Sequence, residues 1–226
     1  MLVRDYMTRH PLLAEPTMSI VDAQRFMVEQ NVHHLPVVGD GKRLLGLVTR
    51  QRLLVDPGRL ASLDVWDITR YLSALTVSDV MIKARDVVTT AQDTTIEDAA
   101  RVMVERKVGS LPVLEDGGPA YPAGVVVGML TKTDMLAMLM EMMATRVPAV
   151  RVTVRMPDIR GELARLVAAI AAQGWGILAL AGAPAPRDPT KWDAVVKIRY
   201  RTRDEVVAAL SGVQGQEIVD VRETTA

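Results

Sequence analysis

The chain states one unit twice, and that duplication bounds what it can fold into more tightly than any single motif. Val3, Met7, Ile20, Asp22, Ala23, Met27, Val32, Leu35, Pro36, Val37, Gly46 and Thr49 return in the same order as Val77, Met81, Ile96, Asp98, Ala99, Met103, Val108, Leu111, Pro112, Val113, Gly128 and Thr131. The offset is 74 at the start (Val3 to Val77), 76 in the middle (Ile20 to Ile96) and 82 at the end (Gly46 to Gly128), so the copies differ by short insertions where turns belong. A duplicated unit buries its apolar face against its twin, which predicts a pseudo-two-fold pair.

Each copy reads as strand, helix, strand, strand, helix. Residues 19–31 carry Ile20, Ala23, Phe26 and Met27 at helical spacing, with Asp22, Gln24, Arg25 and Glu29 on the other face. A strand over 34–38, a Gly39-Asp40-Gly41 turn, a strand over 44–48 and a helix opening at Thr49 follow. The second copy predicts a helix over 95–106, strands over 110–114 and 125–130, and a helix from Thr131; its turn over 115–124 holds Pro119 and Pro122 and reads as an exposed loop. The organisation is therefore copy one (1–55), a connector (56–76) opened by Asp56-Pro57-Gly58, copy two (77–146) and a distinct C-terminal segment (147–226). That last segment predicts a strand over 149–156, a turn over 157–161, an Ala-rich helix over 162–173 stopped by Gly174, and strands over 177–181 and 194–200 separated by a Pro-rich loop over 183–193. A helix over 203–210 capped by Thr202 and a strand over 217–222 complete a βαββαβ order with both helices on one face. The fold class is α+β.

Composition narrows the function. Lys plus Arg equal Asp plus Glu at 27 each, so no global field draws the protein to nucleic acid or an anionic membrane, and binding must come from a local site. The chain has no cysteine, and its three histidines are His10, His33 and His34, so no nucleophile-base, metal-ligand or P-loop pattern is present. We expect no catalytic residue and no metal. No window approaches the ~18 apolar residues of a membrane span, and a cytoplasmic, soluble protein is expected.

Met-Thr near the start, the Ala-rich helix, Leu-Pro-Val and Gly-hydrophobic-hydrophobic-Thr-x-x-Asp together resemble the CBS domain, and the tandem copies resemble a Bateman module. The C-terminal segment, with Pro157, Asp158, Gly161 and Gly174, is similar to the ferredoxin-like ACT domain. The order CBS, CBS, ACT resembles that of the acetoin-utilisation accessory proteins. The resemblance implies a non-enzymatic regulator binding an adenine nucleotide of the AMP, ATP or S-adenosylmethionine type, with no obligatory cofactor. It also implies a homodimer, an amino-acid effector on the ACT-like part and a target enzyme. A structural adaptor with empty clefts is the alternative.

Gly128-Met129-Leu130-Thr131-Lys132-Thr133-Asp134 is the strongest candidate site. Thr131 marks a strand-to-helix junction whose free N–H groups favour phosphate, and the Asp134 carboxylate can accept from both hydroxyls of a ribose. Thr-x-x-Asp equally suits a capping box, in which the pair only satisfies the helix end. In the first copy Arg52 occupies the Asp134 position after Thr49 and Arg50; a cation in a first helical turn opposes the macrodipole, so either it holds a phosphate or it marks a site without its ligand. CBS pairing implies that Asp134 faces Leu12, Leu13, Val32, His33, His34 and Leu35, with Lys132 beside it, and that Arg52 faces Val87, Val88, Gly109, Ser110 and Leu111. His33 and His34 are neighbours on a strand, so they point to opposite faces.

Met135, Met138, Met140, Met142 and Met143, five of the 13 methionines, crowd the helix after Thr131, which predicts cover on more than one side and favours a helix-mediated dimer. In the ACT-like loop, Asp158, Ile159, Arg160 and Gly161 offer backbone N–H groups to a carboxylate. Arg160 replaces a proline common in that family, and Gly176 stands where a ligand-touching Asn is common.

Overall fold

The structure, a computed structural model, describes residues 1–54, 64–115 and 124–225. It divides into two compact units, Met1–Met135 and Leu136–Ala226. The first holds α1 (Val3–Tyr6), β1 (Thr8–Arg9), α2 (Ile20–Glu29), β2 (His34–Val38), β3 (Leu44–Thr49), α3 (Val65–Ala74), α4 (Val77–Val80), β4 (Ile82–Lys83), β5 (Thr90–Ala91), α5 (Ile96–Glu105), β6 (Ser110–Glu115) and β7 (Val125–Thr131). Helix α6 (Lys132–Met142) begins in it.

The two copies fold by the same local rules. Ser19 Oγ caps α2 by accepting the Asp22 N–H at 3.0 Å, and Thr95 Oγ1 caps α5 by accepting the Asp98 N–H at 3.1 Å. Ile20, Ala23 and Met27 are buried along one helix and Ile96, Ala99 and Met103 along the other. Both helices end on a left-handed residue, Asn31 at φ 52° and Lys107 at φ 54°. The following N–H groups, of Val32 and Val108, return to the carbonyls of Met27 and Met103 at 2.9 and 3.1 Å.

The copies exchange their first strands. β1 pairs with β7, Thr8 opposite Met129, while β4 pairs with β3, Ile82 opposite Leu47. The sheets are accordingly β1-β7-β6-β5 and β2-β3-β4, each containing one strand of the other copy. The short helices α1 and α4, absent from the sequence reading, anchor the exchange: the Val3 N–H donates to Thr94 at 2.9 Å and the Val77 N–H to Met18 at 2.8 Å. The repeated glycines have the same origin. A β-carbon on Gly46 would strike the Met81 sulfur and the Ile82 carbonyl, and one on Gly128 the Met7 sulfur. Between the copies Leu44, Leu114 and Val126 form a shared core, with Leu13, Val38, Ala84 and Val87 packed on it.

One element departs from the expected pattern. After Thr49 the chain makes only turns up to Leu54, where the second copy makes a helix after Thr131. Thr131 has the carboxylate of Asp134 to hold its N–H and hydroxyl; Thr49 has Arg52 in that place, and Pro57 soon follows. The Asp56-Pro57-Gly58 opening of the connector and the Pro-containing stretch of the 115–124 loop lie outside the described residues. The described part of the connector, 64–76, holds α3, capped by Asp64, which accepts the Asp67 N–H at 2.8 Å.

The second unit comprises β8 (Ala149–Pro157), α7 (Glu162–Ala172), β9 (Ile177–Ala185), β10 (Asp188–Ile198), α8 (Arg203–Leu210) and β11 (Glu217–Thr224). This is the βαββαβ order, with an antiparallel sheet β11-β8-β10-β9. Leu166 and Ile170 of α7 and Val206 and Leu210 of α8 pack with Val152, Val154, Ala194 and Val196 in one core, so both helices cover one face. The other face carries Arg155 paired bidentately with Asp193 at 2.7 and 2.8 Å. The stretch 183–193, expected as a loop, is mostly strand. β9 lies at the sheet edge, where the missing N–H of Pro184 breaks no ladder, and Trp192 lies over Gly182.

Candidate functional site

Two clefts open in the first unit. One, of about 630 Å³, is lined by Thr131, Lys132 and Asp134 from the second copy and by Leu12, Val32, His33 and His34 from the first. The other, of about 750 Å³, is lined by Thr49, Arg50 and Arg52 from the first copy and by Val87, Val88, Gly109 and Ser110 from the second. Each strand-to-turn junction thus faces the opposite copy, as a pseudo-two-fold pair requires.

Three expected lining residues lie elsewhere. Leu35 and Leu111, each 0 % exposed, point into the cores of their own copies, because alternation along a strand sends neighbouring side chains to opposite faces. Leu13 packs in the core shared by the copies. Sequence reasoning missed Thr8, His10, Pro11 and Asn31 in the first cleft and Ile82, Asp86 and Lys107 in the second. For Thr8 and Ile82 the reason is the strand exchange. The signal for Asn31 and Lys107 lay in their shared position just past a helix, where a left-handed residue places a side chain at the cleft edge.

Asp134 is half-buried and held in place. Its Oδ2 accepts the Thr131 N–H and hydroxyl, both at 2.8 Å, and its own N–H donates to Thr131 Oγ1 at 3.2 Å. Oδ1 has no partner among the described residues. One carboxylate oxygen therefore closes the helix end, as in a capping box, and fixes the orientation of the other. Lys132 is exposed at the same helix start. At the corresponding place in the first copy only the backbone half of the box remains, the Arg52 N–H donating to Thr49 Oγ1 at 3.3 Å.

His33 and His34 each border both clefts, contrary to the opposite faces expected of strand neighbours, because β2 begins only at His34 and His33 precedes it. Burial, then the neighbouring His33 and Lys132, hold the His34 imidazole below the usual 6.5, so it is neutral at physiological pH. A neutral ring both donates and accepts a hydrogen bond. No cluster of three or more metal-ligating side chains occurs among the described residues, and no described helix is long and apolar enough to cross a membrane.

The family model described as CBS domain matches residues 3–55 and 77–141, together more than half of the sequence. The chain belongs to the CBS domain family. Among curated proteins, it is 27 % identical over 133 residues to the L-aspartate semialdehyde sulfurtransferase of Methanocaldococcus jannaschii, covering 59 % of this chain and 22 % of that protein. It is 35 % identical over 115 residues to the homoserine O-acetyltransferase of Methanosphaerula palustris, covering 50 % and 20 %. The matched stretch is thus about a fifth of the length of these relatives. Among solved structures, a Vibrio cholerae protein assigned to acetoin utilization (AcuB) is 28 % identical, with a TM-score of 0.49 over 62 % of this chain and 90 % of that one. CBSX2, solved in complex with AMP and also described from Arabidopsis thaliana, is 28 % identical with a TM-score of 0.49 over 62 % and 96 %.

In the C-terminal unit the 158–161 loop is exposed. The Asp158 N–H already donates to Thr190 and the Ile159 N–H to Pro157, both at 2.9 Å, which leaves those of Arg160 and Gly161 at the start of α7. The Glu162 carboxylate is buried at this helix end, held by Gln216 Nε2 at 3.1 Å and Arg165 at 3.2 Å.

Proposed function

We propose that the Asp134 cleft binds an adenine nucleoside or nucleotide of the AMP, ATP or S-adenosylmethionine type, and that the protein is a non-enzymatic regulator. The observation that carries this reading is the free Oδ1 of a carboxylate locked by its own helix cap. A preorganised acceptor loses no rotamer freedom when a ribose hydroxyl donates to it. The apolar wall of Pro11, Leu12, Val32 and Met129 suits a flat base, and Lys132 at a helix N-terminus suits a phosphate. Membership of the CBS family is consistent with this role. The enzymatic relatives share only about a fifth of their length with the chain, so their activities do not carry over.

Occupancy would reach a partner through α6 and the C-terminal unit. On α6, Leu136 is 61 % exposed, Leu139 51 % and Met142 50 %, and no residue of the helix is buried. Such a helix gains by burying its apolar side chains against a second copy, which supports the homodimer. The βαββαβ order and sheet order of the C-terminal unit support an ACT-like, ferredoxin-like domain, whose 158–161 loop is the place for an amino-acid effector. The acetoin-linked target enzyme rests on the resemblance in domain order.

The bare apolar side of α6 also favours a second reading, an adaptor that docks a partner enzyme without a nucleotide. Isothermal titration of the full chain with AMP, ATP and S-adenosylmethionine separates the two. Heat from at least one of them, lost in Asp134→Ala, supports the sensor; none with all three supports the adaptor.

A further inference from the structure

In the C-terminal sheet the arginines of β8 find carboxylates: Arg151 meets Asp220 at 2.9 Å and Arg155 meets Asp193 at 2.7 Å. Arg199, the residue just past the end of β10, does not. Its Nε is shut off from water and has no hydrogen-bond partner among the described residues. A buried donor on a charged group is costly to leave unpaired unless a ligand supplies the acceptor.

Arg199 lines a cleft of about 570 Å³ at the end of the sheet where β8 begins and β10 and β11 finish. The 158–161 loop follows the other end of β8, so the two places are separate. Val147, Pro148 and Val150 give the cleft an apolar wall. Tyr200 stands beside them at φ 59°, a left-handed conformation that disfavours an aromatic residue, with 82 % of its surface exposed. Its ring centroid lies 5.4 Å from the Arg199 guanidinium carbon. A ring over the face of a guanidinium steadies the cation and leaves its in-plane N–H groups free, which is what the strained backbone achieves here. The other cation of the cleft, Arg201, lies 5.4 Å from the Trp175 ring and donates one N–H to the Tyr200 carbonyl at 3.1 Å. The one acid, Glu223, accepts the Arg203 N–H on Oε1 at 3.3 Å and forms no ion pair with either arginine.

We propose that the Arg199 cleft binds a small monocarboxylate with an apolar body, the carboxylate paired with the Arg199 fork and the body laid against Val147, Pro148 and the Tyr200 ring. Two cations against one acid leave a single positive charge, which matches a monoanion. A phosphate or a dicarboxylate would bring further negative charge towards Glu223. A planar carboxylate also suits the guanidinium fork, whose parallel N–H groups take both of its oxygens. The ligand has two sources, a plain carboxylic acid or an amino acid whose ammonium group meets the second oxygen of Glu223. The site is independent of the Asp134 cleft and of the effector loop proposed above.

The test is isothermal titration of the full chain, without nucleotide, with 4-methylpentanoate and with leucine, which adds an α-ammonium group to the same skeleton. At least one should bind, and the backbone amide shifts it causes should gather at 147–150, 199–201 and 223–225. Arg199→Gln should weaken binding about tenfold or more, and Arg199→Lys should weaken it as well, since an ammonium keeps the charge without the fork. Tyr200→Gly should weaken binding while leaving the melting temperature at or above wild type, because glycine relieves the left-handed strain. That combination separates a binding tyrosine from a structural one. Tighter binding of leucine that Glu223→Gln erases assigns the site to an amino acid; leucine binding no tighter than 4-methylpentanoate assigns it to a plain carboxylate. The proposal is overturned if neither compound gives heat, if the shifts gather at 158–161 instead, or if folded Arg199→Gln and Tyr200→Gly bind as tightly as wild type.

Discussion

The Oδ2 of Asp134 accepts both the backbone N–H and the hydroxyl of Thr131 at 2.8 Å, while Oδ1 has no partner among the described residues. Removing the side chain should therefore have two separable effects. Asp134→Ala is expected to lower stability by about 1 kcal/mol through the lost cap and to weaken adenine-nucleotide binding at least tenfold. Thr131→Ala should share the first loss with a smaller second. Chemical denaturation and calorimetry of both variants give the comparison, and equal binding losses would place the recognition elsewhere.

The two repeated glycines should differ in how they respond to substitution. The atoms nearest to a methyl group on Gly128 belong to the flexible side chain of Met7, while on Gly46 they include both Met81 and the Ile82 backbone carbonyl. Gly46→Ala is expected to cost about 1–3 kcal/mol and Gly128→Ala less. Trimming Met7 to Ala should largely rescue Gly128→Ala, and trimming Met81 should not rescue Gly46→Ala. Urea midpoints of the four proteins decide this.

His34 makes stability fall on acidification. Its folded-state affinity for a proton lies below the ordinary value of 6.5, because of burial first, then His33 and Lys132, so the unfolded chain takes up a proton more readily. The stabilisation from a neutral His34 is complete above pH 6.5 and declines as the pH drops below it. The denaturation midpoint should decrease between pH 7.5 and 5.5, with a shallower decrease in His34→Asn. Identical slopes would remove His34 as the cause.

The Arg155–Asp193 pair should matter in the C-terminal unit more than the surface pairs do. It is bidentate, and the two side chains are 28 % and 16 % exposed, whereas those of Arg25 and Asp22 are 69 % and 55 % exposed. Asp193→Asn is expected to cost about 1–3 kcal/mol, and Asp22→Asn less than 1 kcal/mol. The Arg155 hydrogen bonds hold the Asp193 carboxyl below its ordinary value, so this contribution is present at neutral pH and disappears as acid protonates Asp193. Melting curves at pH 7 and pH 3 check both statements.

Much of this architecture was legible in the chain because it depends on local chemistry. Ser19 and Thr95 announce helix starts, the 3.6-residue spacing of Ile20, Ala23 and Met27 announces a buried face, and β2 falls on the residues where its apolar run lies. What escaped depends on partners distant in sequence. Nothing near Thr8 says that it will pair with Met129, nor can Pro184 declare that it lies on an edge strand, where a proline does no harm.

The cleft was half legible for the same reason. Thr131, Asp134 and the Arg52 substitution stand in a motif readable along the chain. Leu35 and Leu111 fall in the core because the residue beside a lining residue on a strand points away from the cleft, and Leu13, next to the cleft residue Leu12, packs in the core shared by the copies.

The exchanged strands make the amino terminus part of the wrong half of the molecule. Residues 1–9 belong structurally to the second copy, and Thr8, His10, Pro11 and Leu12 help wall the cleft that contains Asp134. Neither copy expressed alone would carry a complete sheet, yet the two fragments hold complementary pieces and should reconstitute when mixed.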